Sequence, residues 1–200
     1  ENLFFCLGAL MNTVKIDKNN IKPAVVASIE EGSIGEELGF EVGDQLISIN
    51  GVKPRDLIDY KFLIAEENIQ LTILDEKGKK HIIDIEKDYD DELGLAFTEA
   101  LFDGLKQCNN QCPFCFIDQQ PPGKRKSLYL KDDDYRLSFL YGSYLTLTNL
   151  SEQDWLRIDQ QRLTPLFVSV HATEPSLRSK LLRNPKAIDL LNQLTWFAKK

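Results

Sequence analysis

No apolar run in this chain approaches the ~20 residues that a helix needs to span a bilayer, so nothing in it reads as a membrane span. Basic residues are in deficit: 24 Lys+Arg against 31 Asp+Glu leave a net charge of −7 over 200 residues. Neutralising nucleic-acid phosphates needs a basic surface, so the balance argues against a general nucleic-acid binder. Methionine occurs once, at Met11, and histidine twice, at His81 and His171. Cysteine is also sparse, at Cys6, Cys108, Cys112 and Cys115. A disulfide scaffold would spread its cysteines to close long loops, but three of these fall within eight positions. Clustered in this way they read as metal ligands, which implies a reducing, cytoplasmic compartment. Apolar residues are not scarce. At 42% they suit a packed protein rather than a disordered one, and the length allows one large domain or two small ones.

Both ends are irregular. Residues 1–21 include ENLFFCLGAL ahead of Met11 and lack the basic n-region of a signal peptide. They read as a leader or upstream segment in which Cys6 is a spare thiol. At the other end Gln193–Lys200 reads as helix with no capping glycine, so the chain is expected to be a fragment that stops inside an element.

Residues 22–98 read as a small αβ module. Val25, Val26 and Ile29 mark a strand. Ser33 caps a short helix, Ile34–Leu38, and Gly39 stops it. Gln45–Ile49 alternates and meets an Asn50-Gly51 turn. Arg55–Ala65 carries apolar residues at helical spacing, and Ile69–Leu74 and His81–Ile85 read as strands. His81 is expected on a solvated strand face, and Asp88–Glu92 in a solvated loop. This order, with SIEEGSIGEELGFEVGDQLISING and the late LGLAF, resembles a circularly permuted bacterial PDZ domain. The resemblance implies a peptide carboxylate held at Leu93, Gly94 and Leu95. The peptide would then add to the strand Leu95–Thr98 opposite the helix Arg55–Ala65. A module that only braces its neighbour is the other reading.

In the second domain, expected from residue 99, the segment LKQCNNQCPFCFIDQQPPGKRKSLYLKDDDYRLSF sets Cys108, Cys112 and Cys115 at C-x3-C-x2-C, in a loop favoured by Asn109, Asn110 and Pro113. Each thiolate can hold a different iron of one cluster. Cubanes normally take four cysteines, so one iron would stay open to a non-protein ligand. A tetrahedral zinc site would need a fourth ligand, and neither His81 nor His171 is at finger spacing. The spacing, followed by Phe116, resembles the radical SAM motif. That implies a [4Fe–4S] cluster, S-adenosyl-L-methionine on the open iron, and an electron donor. The longer run CNNQCPFCFIDQQPPGKRKSLYLKDDDYRLSFLYGSYLTLTNL resembles a family of bacterial Fe–S proteins described as oxidoreductases. Their layout is a PDZ-like module, a radical SAM-like domain, and a further C-terminal domain that this chain would lack.

Downstream, Tyr144–Leu147 reads as a strand, Ser151 caps a helix to about Arg162, and Pro165 opens the apolar strand LFVSV. Thr173 is expected to cap a helix over Pro175–Leu182, and a last helix begins near Lys186. The alternation implies βαβ units and a parallel sheet. Val168–Ala172 resembles the strand end that contacts S-adenosylmethionine in radical SAM RNA methyltransferases. Ser169 and His171 would then touch the cofactor; the alternative is a buried strand end whose histidine bonds a neighbouring backbone group. The superfamily's Gly-Gly-Glu motif is not found, and Gly142-Ser143 precedes a strand. Lys124-Arg125-Lys126 and Asp132-Asp133-Asp134 read as solvated loops that pair with each other. The expected fold class is α/β, a permuted PDZ-like module followed by the first βα units of a partial β/α barrel over 99–200. The substrate, small molecule or macromolecule, is not legible. The competing function is a peptide-binding module with a structural or electron-transfer cluster.

Overall fold

The computed structural model describes residues 21–89 and 91–200. The leader expected over 1–21, with Cys6, lies outside them except for Ile21. The chain divides into two compact units between Gly104 and Leu105.

The first unit is an antiparallel sheet with two short helices. Its strands are β1 (Ala24–Ile29), β2 (Gln45–Ile49), β3 (Asn68–Leu74), β4 (Lys80–Glu86) and β5 (Leu95–Phe97), in the spatial order β4-β3-β2-β1-β5. Every neighbouring pair is antiparallel. Alternation decides which face is inward: in β3, Ile69, Leu71 and Ile73 are buried between solvent-facing neighbours. Helix α1 (Ile34–Glu37) starts where the Ser33 side chain accepts the Glu36 N–H. Helix α2 (Leu57–Leu63) starts at Asp56, which accepts the Asp59 N–H at 3.0 Å. The Arg55 guanidinium grips the fully buried Asp59 carboxylate through two N–H donors. The core runs from Ala24 and Val26 through Leu46, Ile49 and Leu71 to Leu95 and Phe102.

Residues 99–104, read above as the start of the second domain, hydrogen-bond within this unit. The Leu57 N–H donates to the Ala100 carbonyl and the Phe102 N–H to that of Arg55. The Phe102 carbonyl accepts from Lys22, which ties the unit's exit to its entry. Phe97 packs edge-on between Tyr60 and Phe102.

The second unit contains α3 (Tyr135–Tyr141), β6 (Tyr144–Leu145), α4 (Glu152–Gln160), β7 (Phe167–Val168), α5 (Pro175–Leu182) and α6 (Leu190–Phe197), with 3-10 turns at Lys126–Tyr129 and Pro185–Asp189. β6 and β7 are parallel, Tyr144 opposite Phe167 and Leu145 opposite Val168, and α4 is their crossover. Ser151 caps α4 in a reciprocal box with Asp154.

Several expectations change here. Both strands are shorter than expected, because the Thr146 N–H and the Thr146 and Ser169 carbonyls bond the side chains of Asp133 and Arg178 instead of extending the ladder. The cap of α5 is Glu174, not Thr173: its carboxylate accepts the Ser176 and Leu177 N–H groups. A carboxylate with two oxygens serves two orphan donors where a hydroxyl serves one. Helix α3 was not expected; Asp134 caps it and left-handed Gly142 ends it. Nor does the Asp132–Asp134 run pair with Lys124-Arg125-Lys126. The basic patch is exposed, whereas Asp133 and Asp134 are buried and bond Thr146 and Arg136. Burying a carboxylate demands near partners, and those two provide them.

Candidate functional site

The cysteine segment is an irregular loop pinned at several points. The Cys108 N–H donates to the Lys131 carbonyl at 2.8 Å, and the Gln111 N–H to that of Leu182 at 3.0 Å. The Cys115 N–H donates to the Cys112 carbonyl, which closes a tight turn. Asn110, 3% exposed, sits beneath the loop. Its side-chain N–H group reaches Cys108 Sγ at 3.3 Å and Thr146 Oγ1 at 2.9 Å, and its oxygen accepts from Thr148 and Asn184. Thr146 directly follows β6, so this network fixes the loop against the C-terminal end of that strand.

All three thiols are partly buried. Burial pushes Cys108 up, and the Asn110 N–H groups pull it back. Burial also pushes Cys112 up, and the charges of Cys108 and Cys115 add to it. Cys112 therefore lies within electrostatic reach of both Cys108 and Cys115. Asp118 is exposed and held below the ordinary carboxylate range, first by a hydrogen bond from Lys131 and in part by one from Cys115. Among the described residues no three His, Cys, Asp or Glu side chains are gathered around one metal position. Thiolates of a cubane bind different irons and stand farther apart than the ligands of one ion. Three partly buried thiols on one loop are a donor set whose chemistry suits an iron–sulfur cluster.

The ends of both parallel strands are clamped by Arg178, which is 1% exposed. Its guanidinium donates to the carbonyls of Thr146, Ser169, Val170 and Ala187, at 2.8, 3.2, 2.8 and 2.9 Å. Ser169 follows β7 and donates its N–H to the Leu145 carbonyl. His171 follows in the left-handed region at φ 60°, exposed, with Nδ1 3.1 Å from the Ser169 carbonyl. That local bond is the one expected of a structural histidine, but the residue is not buried. Its ring lies 5.6 Å from that of Phe114, between Cys112 and Cys115 in sequence. His171 thus stands on the cysteine-loop side of the strand ends, and Ser169 immediately follows β7. Partial desolvation of the ring, with the Arg178 charge adding, holds His171 below the ordinary imidazole value. Sequence reading missed Arg178, Asn110, Thr146 and Asn184. The buried network that includes Arg178 joins residues some 30 to 75 positions apart, so no local pattern signals it.

In the first unit, Leu93–Leu95 leads into β5, an edge strand. The Leu93 carbonyl accepts from Gly35 and that of Gly94 from Glu30. Gly94 has φ +69°, and a Cβ there would lie 2.2 Å from that of Ser33, so only glycine fits the turn.

A family model described as a radical SAM-like domain matches residues 87–200. The chain belongs to the radical SAM-like domain family. A PDZ domain model matches residues 25–75 of the same chain. Ahead of its family domain, the radical SAM-like chain thus carries a PDZ-like module, as its strand order indicates. Among solved structures it is similar to the PDZ domain of an SdrC-like protein of Listeria innocua. That match has 12% identity and a TM-score of 0.33, and covers 40% of this chain and 99% of that one. It is also similar to the PDZ domain of an SdrC-like protein of Listeria monocytogenes, with 14% identity, a TM-score of 0.34, and 42% and 94% covered. No curated protein matches the chain. No helix among the described residues is long and apolar enough to cross a membrane.

Proposed function

We infer that this radical SAM-like protein binds a [4Fe–4S] cluster through Cys108, Cys112 and Cys115 and acts as a cytoplasmic oxidoreductase on a substrate that remains to be found. The observation that carries the reading is the loop itself. Three partly buried thiols share it, and a buried hydrogen-bond network pins it to the C-terminal end of a parallel strand. The C-terminal ends of parallel strands are where β/α enzymes gather their chemistry. When bound, the cluster would supply the one-electron reduction of S-adenosyl-L-methionine at the iron that no protein thiolate holds.

The chain's own residues then have separable jobs. Asn109 and Asn110 hold the loop to Asn184 and Thr148. Arg178 keeps the Ser169 and Val170 carbonyls in place. Ser169 and His171 contact the cofactor; a neutral imidazole can donate or accept there without adding charge. An external electron donor is required. Reconstitution with iron and sulfide under anaerobic conditions tests the reading, followed by reduction and EPR with and without S-adenosyl-L-methionine. The expected result is a cubane signal that shifts on adding the cofactor, with 5′-deoxyadenosine formed. A cubane indifferent to the cofactor, or no cluster, overturns it.

A second reading concerns the PDZ-like module and is supported by the edge position of β5 beside the Gly94 turn. A partner's carboxyl terminus would meet Leu93, Gly94 and Leu95, and its chain would extend the sheet along β5. Titration of the full chain with a C-terminal peptide library decides this. Absence of saturable binding by every peptide would leave the module as a brace.

A further inference from the structure

The amide of Asn110 has an unambiguous orientation. The Lys186 backbone N–H, which can only donate, bonds Asn184 Oδ1 at 3.0 Å. The other end of the Asn184 amide is therefore its NH2, which donates to Asn110 Oδ1 at 2.8 Å. That fixes the oxygen of Asn110 on the Asn184 side and its NH2 on the opposite side, toward Cys108 Sγ and Thr146 Oγ1. The network starts at a backbone donor, so flipping one amide would break bonds all along it. Thr146 in turn donates to Asp133 Oδ2 at 2.6 Å, which leaves its oxygen free to accept from Asn110. One buried side chain thus presents an N–H to a candidate ligand sulfur, and its other atoms are fully engaged in holding it there.

We propose that Asn110 tunes the reduction potential of the cluster by donating its side-chain N–H to the Cys108 sulfur. This rests on the cluster reading above. A reduced cluster carries one more negative charge, which spreads onto its thiolates. A donor aimed at one of them stabilises the reduced form and raises the potential. The bond is charge-assisted once the sulfur is a thiolate, and at 3% exposure Asn110 is shielded from competing water. Asn110 is a positioning and tuning residue, since it touches neither substrate nor any reacting atom.

The test is a redox titration of the reconstituted full chain, followed by EPR. Asn110→Leu removes the donor without adding charge; Asn110→Asp keeps the size and the acceptor for Asn184 and Thr148 but removes the donor and adds a carboxylate charge. At fixed solution potential the reduced fraction relative to oxidised should fall about tenfold in Asn110→Leu, which for a one-electron couple is about 59 mV to the negative, and further in Asn110→Asp. Ser151→Ala removes a helix cap in the same unit, bonds neither Asn110 nor Cys108, and should leave the potential unchanged. Loaded Asn110 variants with the wild-type potential would overturn the proposal and leave the cluster reading standing. Failure of the wild-type chain to take up iron and sulfide would overturn both. Should the Asn110 variants not fold, pulsed EPR on the wild-type cluster decides, with asparagine labelled with nitrogen-15 at the side-chain amide. A resolved coupling to that nitrogen supports the bond, and its absence overturns it.

Discussion

Leu71 in the first unit and Arg178 in the second are equally hidden, at 0% and 1% exposure, and stabilise their surroundings by opposite means. Leu71 packs among Leu46, Ile49, Ile69 and Ile73, in a cluster built almost wholly of hydrocarbon. Arg178 spreads a guanidinium over four backbone carbonyls, and Asp133, Asp134, Arg136, Asn110, Thr148 and Asn184 are buried in the same unit. Apolar burial is non-directional and tolerates repacking. A buried polar network fixes directions, and it is severe when one member is lost. The unit that carries the cysteine loop uses the directional kind, as a site with a fixed ligand geometry requires.

Substitutions at these two positions should break that contrast in different ways. Arg178→Met should have the largest effect. Four carbonyls lose their donor, and each unsatisfied group costs roughly 1–3 kcal/mol, so a loss of about 4 kcal/mol is expected. Arg178→Lys should recover little, because an ammonium cannot reproduce the planar fork. Both tryptophans, Trp155 and Trp196, lie in the second unit with rings 5.0 Å apart, so their fluorescence in urea reads that unit alone. Leu71→Ala should cost about 3 kcal/mol by leaving a cavity. Hydrogen exchange of β2 and β3 should report the loss, and tryptophan fluorescence should not.

A smaller effect separates the units by pH. Burial pushes the Asp154 carboxyl up, but donors from Ser151 and the Lys106 ammonium outweigh it and hold it below the ordinary range. A carboxylate depressed in the folded state contributes stability that is present above its unfolded value of about 3.9. That contribution is lost as pH falls through the lower folded value. The second unit should therefore weaken in that window, and Asp154→Asn should flatten the pH dependence of the tryptophan-monitored midpoint. The smallest expected effects are at the caps. Ser151→Ala should cost about 1 kcal/mol and Ser33→Ala about half that, since both remove one N-cap acceptor but only Ser151 belongs to a reciprocal box.

The same contrast explains what could be read from residues alone. Alternation in β2, β3 and β4, the Ser33 cap and the Gly39 stop are local signals, and they led to the correct elements of the first unit. The C-x3-C-x2-C spacing and the Ser151 cap are local too. What was hidden is long-range and polar. β6 and β7 end early because Asp133 takes the Thr146 N–H while Arg178 takes the Thr146 and Ser169 carbonyls. Their apolar runs continue past those points, so periodicity overestimates them. Helix α3 did carry a signal, an Asp134 cap and a Gly142 stop eight residues apart, but the Asp132–Asp134 run reads as a solvated loop. Thr173 lost the cap of α5 to Glu174, which outbids it in acceptor number.

The most direct test of the central claim is Mössbauer spectroscopy of the full chain reconstituted with iron-57, recorded with and without S-adenosyl-L-methionine. Three thiolates on a cubane predict one iron distinct from the other three, and only that iron should shift when the cofactor is added. Four equivalent irons that ignore the cofactor, or iron bound without sulfide, would contradict the account.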